Sequence, residues 1–265
     1  HIRGDTFDQF KRKWAVYGKI PLPKIQQVDL TIHVFPEKQY FEAEGEYLIR
    51  NRGAKPIDTL LIRTGFDVDT ELTLDMGAKL LDQVRKMKYS SYFLKDPLLQ
   101  GVSMRLFFKI NSIPNAIFSR NSSVLRNGTF LKHDILPRFT FQFESEDDTS
   151  TRSNRTAYHY FSKDADLVSL RTTISTHTDQ LAIAPGVPIK KYQTGDRNFY
   201  TYETRHPVKF NFSFHSGIFA TKRDTFQGVP IEVQADPAHS YTLGVMWRGL
   251  EASISYNTCR CGWGD

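Results

Sequence analysis

The stretch that decides how this chain is interpreted is Asn127-Gly-Thr-Phe-Leu-Lys-His-Asp-Ile-Leu-Pro-Arg-Phe139. Asn127-Gly128 is a turn signal, because both residue types tolerate a positive φ. Ile135 and Leu136 are apolar, and Pro137 lacks the N–H that would extend a β-ladder. The stretch therefore predicts a loop with a strand on each side.

Strand patterns occur on both sides of this loop. Val28, Leu30, Ile32 and Val34 alternate with polar residues, which is typical of a strand with one buried face. Similar alternation predicts further strands at residues 41–50, 59–63, 71–74, 89–94, 103–110, 168–174, 181–184, 210–214 and 229–233. Residues 192–202 are predicted to form a hairpin that turns at Gly195-Asp196. Many short strands at regular spacing predict a mainly β fold, a multi-stranded β-sandwich with antiparallel or mixed sheets.

Two helices are expected, one at each end of the chain. In residues 1–18, aromatic side chains recur at helical spacing, which predicts a short amphipathic helix. We expect it to pack against its own domain, and docking on a partner or a membrane surface is the alternative. Residues Tyr241 to Tyr256 predict a C-terminal amphipathic helix. Its apolar stripe consists of Leu243, Met246, Trp247, Leu250 and Ile254. Burying such a stripe is favourable, so we expect it to fold back onto the sandwich or to mediate self-association.

Composition restricts the classes of partner. The chain has 265 residues, 40% of them hydrophobic, and a net charge of +6. Its basic residues are scattered and no nucleic-acid motif accompanies them, so we expect no nucleic-acid partner. No apolar run reaches the roughly 18 residues of a membrane span, so the chain as given is expected to be soluble. Cys259 and Cys261 supply only two of the four ligands of a structural zinc site, so no metal is expected there.

Four short segments of the sequence together resemble a known protein family. They are Ile20-Pro-Leu-Pro-Lys-Ile25, Lys55-Pro-Ile-Asp-Thr59, the stretch from Asn127 to Phe139, and Asp179-Gln-Leu-Ala-Ile-Ala-Pro-Gly186. In order and spacing they resemble the N-terminal β-sandwich domain of aminopeptidase N-like zinc metallopeptidases. The likeness is greatest to the bacterial variant fused to ABC-transporter permeases, which implies a membrane-associated bacterial parent protein.

The resemblance implies a division of the chain and a function. Residues 1–18 would be the N-terminal helix, 19–240 the β-sandwich, and 241–265 the start of a missing catalytic domain followed by an atypical tail. The family binds zinc through His-Glu-x-x-His and a later glutamate. None of the eight histidines lies in that pattern, and the peptide-clamping motif Gly-Ala/Gly-Met-Glu-Asn is absent as well. The resemblance thus implies no catalytic residue and no cofactor here, and the zinc would belong to the missing domain.

In the resembled domain, an amide side chain at a loop edge helps to hold the α-amino group of a peptide substrate. A neutral amide oxygen can accept a hydrogen bond from an ammonium group. Its counterpart falls near Arg126 to Phe130, where Asn127 has the only amide side chain. The implied substrate-binding residues are Asn127, Gly128, Thr129 and Phe130, and the implied partners are a peptide and the missing catalytic domain.

Two other functions remain open at this point. The chain could be a free-standing hydrolase, an esterase or peptidase that uses Ser, His and Asp groups on the sandwich. It could also be an interaction module that kept the fold without an enzyme. The sequence has no Gly-x-Ser-x-Gly nucleophile elbow, no phosphate-binding loop and no dinucleotide fingerprint.

Overall fold

A computed structural model describes Trp14, Tyr17 and residues 20–113, 123–140 and 165–261. The described chain is dominated by strands. They are β1 (Lys24–Phe35), β2 (Tyr40–Arg50), β3 (Ile57–Arg63), β4 (Val68–Leu74), β5 (Ala78–Val84), β6 (Tyr89–Leu98), β7 (Ser103–Ser112), β8 (Val124–Leu125), β9 (Gly128–Lys132), β10 (Ala165–His177), β11 (Leu181–Ile183), β12 (Val187–Thr194), β13 (Arg197–Glu203), β14 (Val208–Lys209), β15 (Ser213–Gly217), β16 (Ala220–Phe226) and β17 (Val229–Ala235). A helix, α1 (Leu243–Cys261), follows a 3-10 segment at Pro237–Thr242.

The largest sheet has the strand order β12-β13-β10-β1-β2-β7-β4, and β14 pairs with the beginning of β10. Strand β1 lies at its centre and pairs antiparallel with β2 and parallel with β10. The alternation predicted for β1 is confirmed, because Val28, Leu30, Ile32 and Val34 are all fully buried. The sheet is therefore mixed, with one face turned to the core.

Two smaller sheets cover that face, and the core lies between them and the large sheet. One has the order β11-β15-β9-β8 and the other β3-β6-β5. The core cluster joins side chains of all three sheets, such as Leu30 of β1, Leu60 of β3 and Phe214 of β15. The predicted mainly β sandwich is confirmed.

The C-terminal helix packs on a hairpin outside this core. Strands β16 and β17 form a separate two-stranded sheet. Trp247 of α1 is 6% exposed and clusters with Ile231 and Val233 of β17. The predicted helix is confirmed. Only part of its apolar stripe is packed on the hairpin, namely Leu243, Trp247 and Ile254. The other two side chains, Met246 and Leu250, are 45% and 39% exposed.

Most of the predicted N-terminal helix lies outside the described residues. Trp14 is fully buried and packs with Leu61, Met87 and Tyr89 on the sheet β3-β6-β5. Tyr17 joins the cluster, and a hydrogen bond links its hydroxyl to Ser91 Oγ at 3.2 Å. These two aromatic side chains therefore pack on the domain itself. The domain boundaries at residues 18 and 240 stay predictions.

The prediction that the whole stretch from Asn127 to Phe139 is a loop was wrong. Residues Gly128–Lys132 form strand β9, and a 3-10 turn follows at His133–Ile135. Thr129 and Leu131 are buried while Phe130 and Lys132 are exposed, which is the alternation expected of a strand that covers a core.

No helix among the described residues is long and apolar enough to cross a bilayer.

Candidate functional site

Strands β8 and β9 form a short hairpin at the edge of the four-stranded sheet. Val124 pairs with Thr129 and Leu125 with Gly128, so Arg126 and Asn127 make the turn. The reason given for this turn was wrong, because neither Asn127 nor Gly128 has a positive φ. The side chain of Asn127 is exposed at the tip of the hairpin.

A buried glutamine, Gln180, is hydrogen-bonded to the backbone of the turn between β8 and β9. Gln180 is 3% exposed and donates a hydrogen bond from Nε2 to the carbonyl oxygen of Arg126 at 3.0 Å. Its Oε1 accepts a hydrogen bond from Thr176 Oγ1 at 2.9 Å. The turn is thus tied to the end of β10. The sequence predicted no role for Gln180. Its place in the segment 179–186, which carries part of the family resemblance, was the one indication of a role.

All four predicted substrate-binding residues line one cavity of about 710 Å³. Its other walls come from the 3-10 turn after β9, from β15 and from the segment between β3 and β4. They include Arg63, Gly65, Phe66, Asp67, Lys132, Asp134, Ile135, His215 and Ser216. The structure thus brings Asn127, Gly128, Thr129 and Phe130 together, and their role in binding stays a prediction.

Gly65 allows two backbone segments in one wall of the cavity to pack closely together. A Cβ at this position would lie 2.9 Å from Val68 Cγ2 and 3.1 Å from the carbonyl oxygen of Asp134. These approaches are closer than ordinary van der Waals contact. Only a residue without a side chain lets the β3–β4 connection run against Asp134 and Ile135.

The outer face of the hairpin carries an aromatic and basic group. The rings of Phe130 and His215 lie 4.7 Å apart, and Lys132 Nζ lies 5.7 Å from the Phe130 ring centre. A 2.9 Å hydrogen bond joins His215 Nε2 to Ser213 Oγ. Burial lowers the pKa of His215 below its ordinary value, so the neutral imidazole is favoured near pH 7.

The charged groups around the cavity have both signs. Asp67, Asp134 and Asp236 contribute carboxylates, while Arg63 and Lys132 contribute cations. Within the described ranges, no three His, Cys, Asp or Glu side chains are grouped closely enough to hold a metal ion. The arrangement offers hydrogen-bonding groups, apolar walls and a charged rim.

Solved structures show which proteins share this architecture. The M1 zinc metallopeptidase from Deinococcus radiodurans matches with a TM-score of 0.55 and 12% sequence identity, over 82% of this chain and 47% of that chain. Its mutant bound to a Tyr-Ser-Ala substrate matches with a TM-score of 0.54 at 12% identity, over 80% and 46%. A two-domain M1 zinc metallopeptidase mutant bound to L-arginine matches with a TM-score of 0.53 at 13% identity, over 80% and 47%.

The chain has the fold of an M1 peptidase N-terminal domain. At such low identity the likeness shows the fold alone, and the chain spans about half the length of these peptidases. No protein-family model and no curated protein matches the sequence. The resemblance to aminopeptidase N-like domains is thus supported at the level of fold, and the likeness to permease-fused relatives stays a prediction.

Proposed function

We propose that this chain is a non-catalytic domain that forms one wall of the substrate groove in an aminopeptidase-like zinc peptidase. The observation that carries the proposal is the shared fold, which covers four fifths of this chain and about half of each peptidase. The catalytic zinc would lie in a second domain outside this sequence. The likeness to permease-fused relatives extends the proposal to a bacterial, membrane-associated parent protein.

In this role the hairpin tip recognises the free amino end of a peptide. Asn127 Oδ1 is a neutral acceptor on an exposed side chain, suited to a hydrogen bond from an ammonium group. The three carboxylates around the cavity outnumber its two cationic side chains, so the charged rim favours the same positive charge. Gln180 fixes the backbone beneath Asn127, so the amide is presented by a tethered turn.

The first test is to read the gene upstream and downstream of the segment that encodes this chain. We expect it to encode a His-Glu-x-x-His segment and a later glutamate in the same polypeptide or in a partner. The longer protein, or the reconstituted pair, should cleave an aminoacyl anilide. This chain by itself should bind no stoichiometric zinc and show no such turnover.

The Asn127→Ala variant of the active assembly then tests the recognition. One hydrogen bond to a charged group is worth about 1.5–3 kcal/mol, so kcat/KM should fall by one to two orders of magnitude. Asn211→Ala, another exposed asparagine outside this cavity, is the matched control. Equal kinetics for both variants would remove Asn127 from the proposal, and robust turnover by this chain alone would overturn the non-catalytic role.

The hydrogen bond between Ser213 and His215 favours a second candidate, a free-standing hydrolase. A neutral imidazole 2.9 Å from a serine hydroxyl is the start of a nucleophile and base pair. Among the described residues, the only side-chain hydrogen bond of His215 is to this serine. Ester hydrolysis that disappears in Ser213→Ala and persists in Ser216→Ala would support this candidate.

A further inference from the structure

A serine hydroxyl lies where three strands of the large sheet meet. Ser175 of β10 is directly opposite His33 of β1 and Phe199 of β13. It faces away from the core, because its neighbour Ile174 belongs to the core, and it is nevertheless fully buried. Its Oγ lies 2.8 Å from His33 Nδ1 and 2.8 Å from Arg197 Nη2. One hydroxyl therefore links side chains of β1, β10 and β13.

The two contacts of this hydroxyl determine which group donates in each. A guanidinium has no acceptor, so Ser175 Oγ accepts from Arg197. The hydroxyl hydrogen then needs an acceptor of its own, and among the described residues His33 Nδ1 is the only other partner of Ser175 Oγ. Ser175 therefore donates to Nδ1, which requires a neutral imidazole with its hydrogen on Nε2.

Arg197 is held next to this hydroxyl by further contacts. Its Nη2 also donates to the carbonyl oxygens of Val34 at 2.9 Å and Ser175 at 3.1 Å. The guanidinium carbon lies 4.4 Å from the centre of the Phe35 ring. A fixed positive charge is thus separated from the imidazole of His33 by one hydroxyl group.

Charged groups of both signs face His33. Glu42 lies directly opposite on β2 with Glu44 two residues further along that strand, and both favour the charged imidazole. Arg197 of β13 disfavours it, and on β10 the next side chain on this face is His177. Burial and, second to it, the Arg197 guanidinium lower the pKa of His33 below its ordinary value of 6.5.

We propose that His33, Ser175 and Arg197 form a proton-sensitive latch, which holds β1, β10 and β13 together when His33 is neutral and loosens when it is protonated. The inference goes beyond the proposed function and does not depend on it. A proton on Nδ1 leaves the buried hydroxyl hydrogen without an acceptor and places a second positive charge beside Arg197. The stabilisation is fully present above pH 6.5 and is lost as the pH falls from there through the pKa of the folded protein.

The first test is the titration of His33 in the parent chain, followed by NMR of the labelled imidazole. We expect a midpoint below 6.5, and at pH 7.5 nitrogen shifts that place the hydrogen on Nε2. In Ser175→Ala the midpoint should rise, because the donor that favours the neutral ring is gone. Ser169→Ala, at an exposed serine of β10, is the matched control and should leave the midpoint unchanged.

The second test measures stability in urea between pH 7.5 and 5. In His33→Asn an amide oxygen replaces Nδ1, accepts from Ser175 and takes up no proton in this range. The urea midpoint of the parent should therefore fall more steeply with falling pH than that of the variant. His215, whose pKa burial also lowers, is present in both proteins, so the difference belongs to His33. His206→Asn, at an exposed histidine, is the control and should behave as the parent does.

Each measurement has a result that would overturn the latch. These are a His33 midpoint at or above 6.5, a hydrogen on Nδ1 at pH 7.5, and a midpoint that Ser175→Ala leaves in place. Equal pH dependence of the parent and His33→Asn would overturn it as well. If His33→Asn does not fold, the titration of His33 in the parent chain decides.

Discussion

The hydroxyl of Tyr202 donates a hydrogen bond to the carbonyl oxygen of Ala182 at 2.9 Å. Tyr202 lies in β13 of the large sheet, and Ala182 lies in β11 of the four-stranded sheet. Both residues are buried. A bond between two layers, and not within one sheet, therefore fixes the four-stranded sheet and the cavity on it relative to the large sheet.

Replacing Tyr202 with phenylalanine should destabilise the protein. The change keeps the ring and removes the donor, so Ala182 loses its buried partner, at a cost of about 1 kcal/mol. Urea denaturation measures the change in free energy of unfolding. Tyr192→Phe, at a partly exposed tyrosine of β12, is the control and should match the parent protein. A Tyr202→Phe variant as stable as the parent would show that this bond does not hold the layers together.

The same tyrosine predicts a loss of stability in alkali. Burial raises the pKa of Tyr202 from 10.0 to about 12. Because the folded state holds this proton more tightly, the resulting stability is fully present below pH 10 and is lost as the pH rises through about 12. The melting temperature of the parent should fall across this window. The fall should be smaller in Tyr202→Phe, and equal slopes would contradict the assignment.

Gly45 of β2 is expected to be intolerant of any side chain. An added Cβ would lie 2.5 Å from the carbonyl oxygen of Asp29 and 2.7 Å from a ring carbon of Phe108. Gly45→Ala should therefore cost roughly 1–3 kcal/mol through overpacking. Gly249→Ala in α1, where no heavy atom lies within 4 Å of the added group, should instead stabilise by about 0.5–1 kcal/mol. Thermal unfolding of both variants checks the opposite signs.

The side chain of Trp14 belongs to a small apolar cluster of its own. Its side chain is fully buried against Leu61, Met87 and Tyr89. Trp14→Ala should lower the free energy of unfolding by about 3 kcal/mol, as expected for a buried aromatic residue. Phe66→Ala is the control, because Phe66 is 50% exposed and its truncation should cost far less. Similar effects for the two variants in denaturant titrations would show that burial of Trp14 does not stabilise the domain.

The packed and the exposed side chains of the apolar stripe on α1 should respond differently to mutation. Trp247→Ala removes the side chain packed on Ile231 and Val233, and should cost about 2–4 kcal/mol in the hairpin and helix unit. Leu250→Ser changes a residue that is 39% exposed and should alter stability by less than about 0.5 kcal/mol. Hydrogen exchange of α1 amides measures both effects.

We predict that the chain self-associates through the exposed side chains of α1, Met246 and Leu250. Analytical ultracentrifugation of Leu250→Ser should then give a weaker dimer than the parent, with unchanged thermal stability. Thr221→Ser, at an exposed position on β16, is the control. An unaltered association constant in Leu250→Ser would exclude this part of the helix from the contact.

Local patterns in the sequence were sufficient for most of the elements. The alternation in β1 and the hairpin of β12 and β13, which turns at Gly195-Asp196, follow from side-chain period and turn chemistry. Residues 79–88 are charged with interspersed Leu and Val, a pattern that fits a strand or a helical turn, and they contain most of β5 followed by a 3-10 turn. Contacts between neighbouring residues determine β1 and this hairpin, so the sequence alone predicts them, whereas the mixed pattern at residues 79–88 left two structures open.

The loop predicted from Asn127 to Phe139 shows where sequence reasoning stops. Gly128–Lys132 becomes a strand because β15 supplies its hydrogen-bond partners from more than 80 residues away. The sequence alone determined that this chain is a β-sandwich and that the region around Asn127 is its most distinctive part. Only the tertiary structure placed Thr129 opposite Ser216, tied Gln180 under the turn and joined Tyr202 to Ala182. Those contacts are set by the packing of layers distant in the chain, which no local pattern encodes.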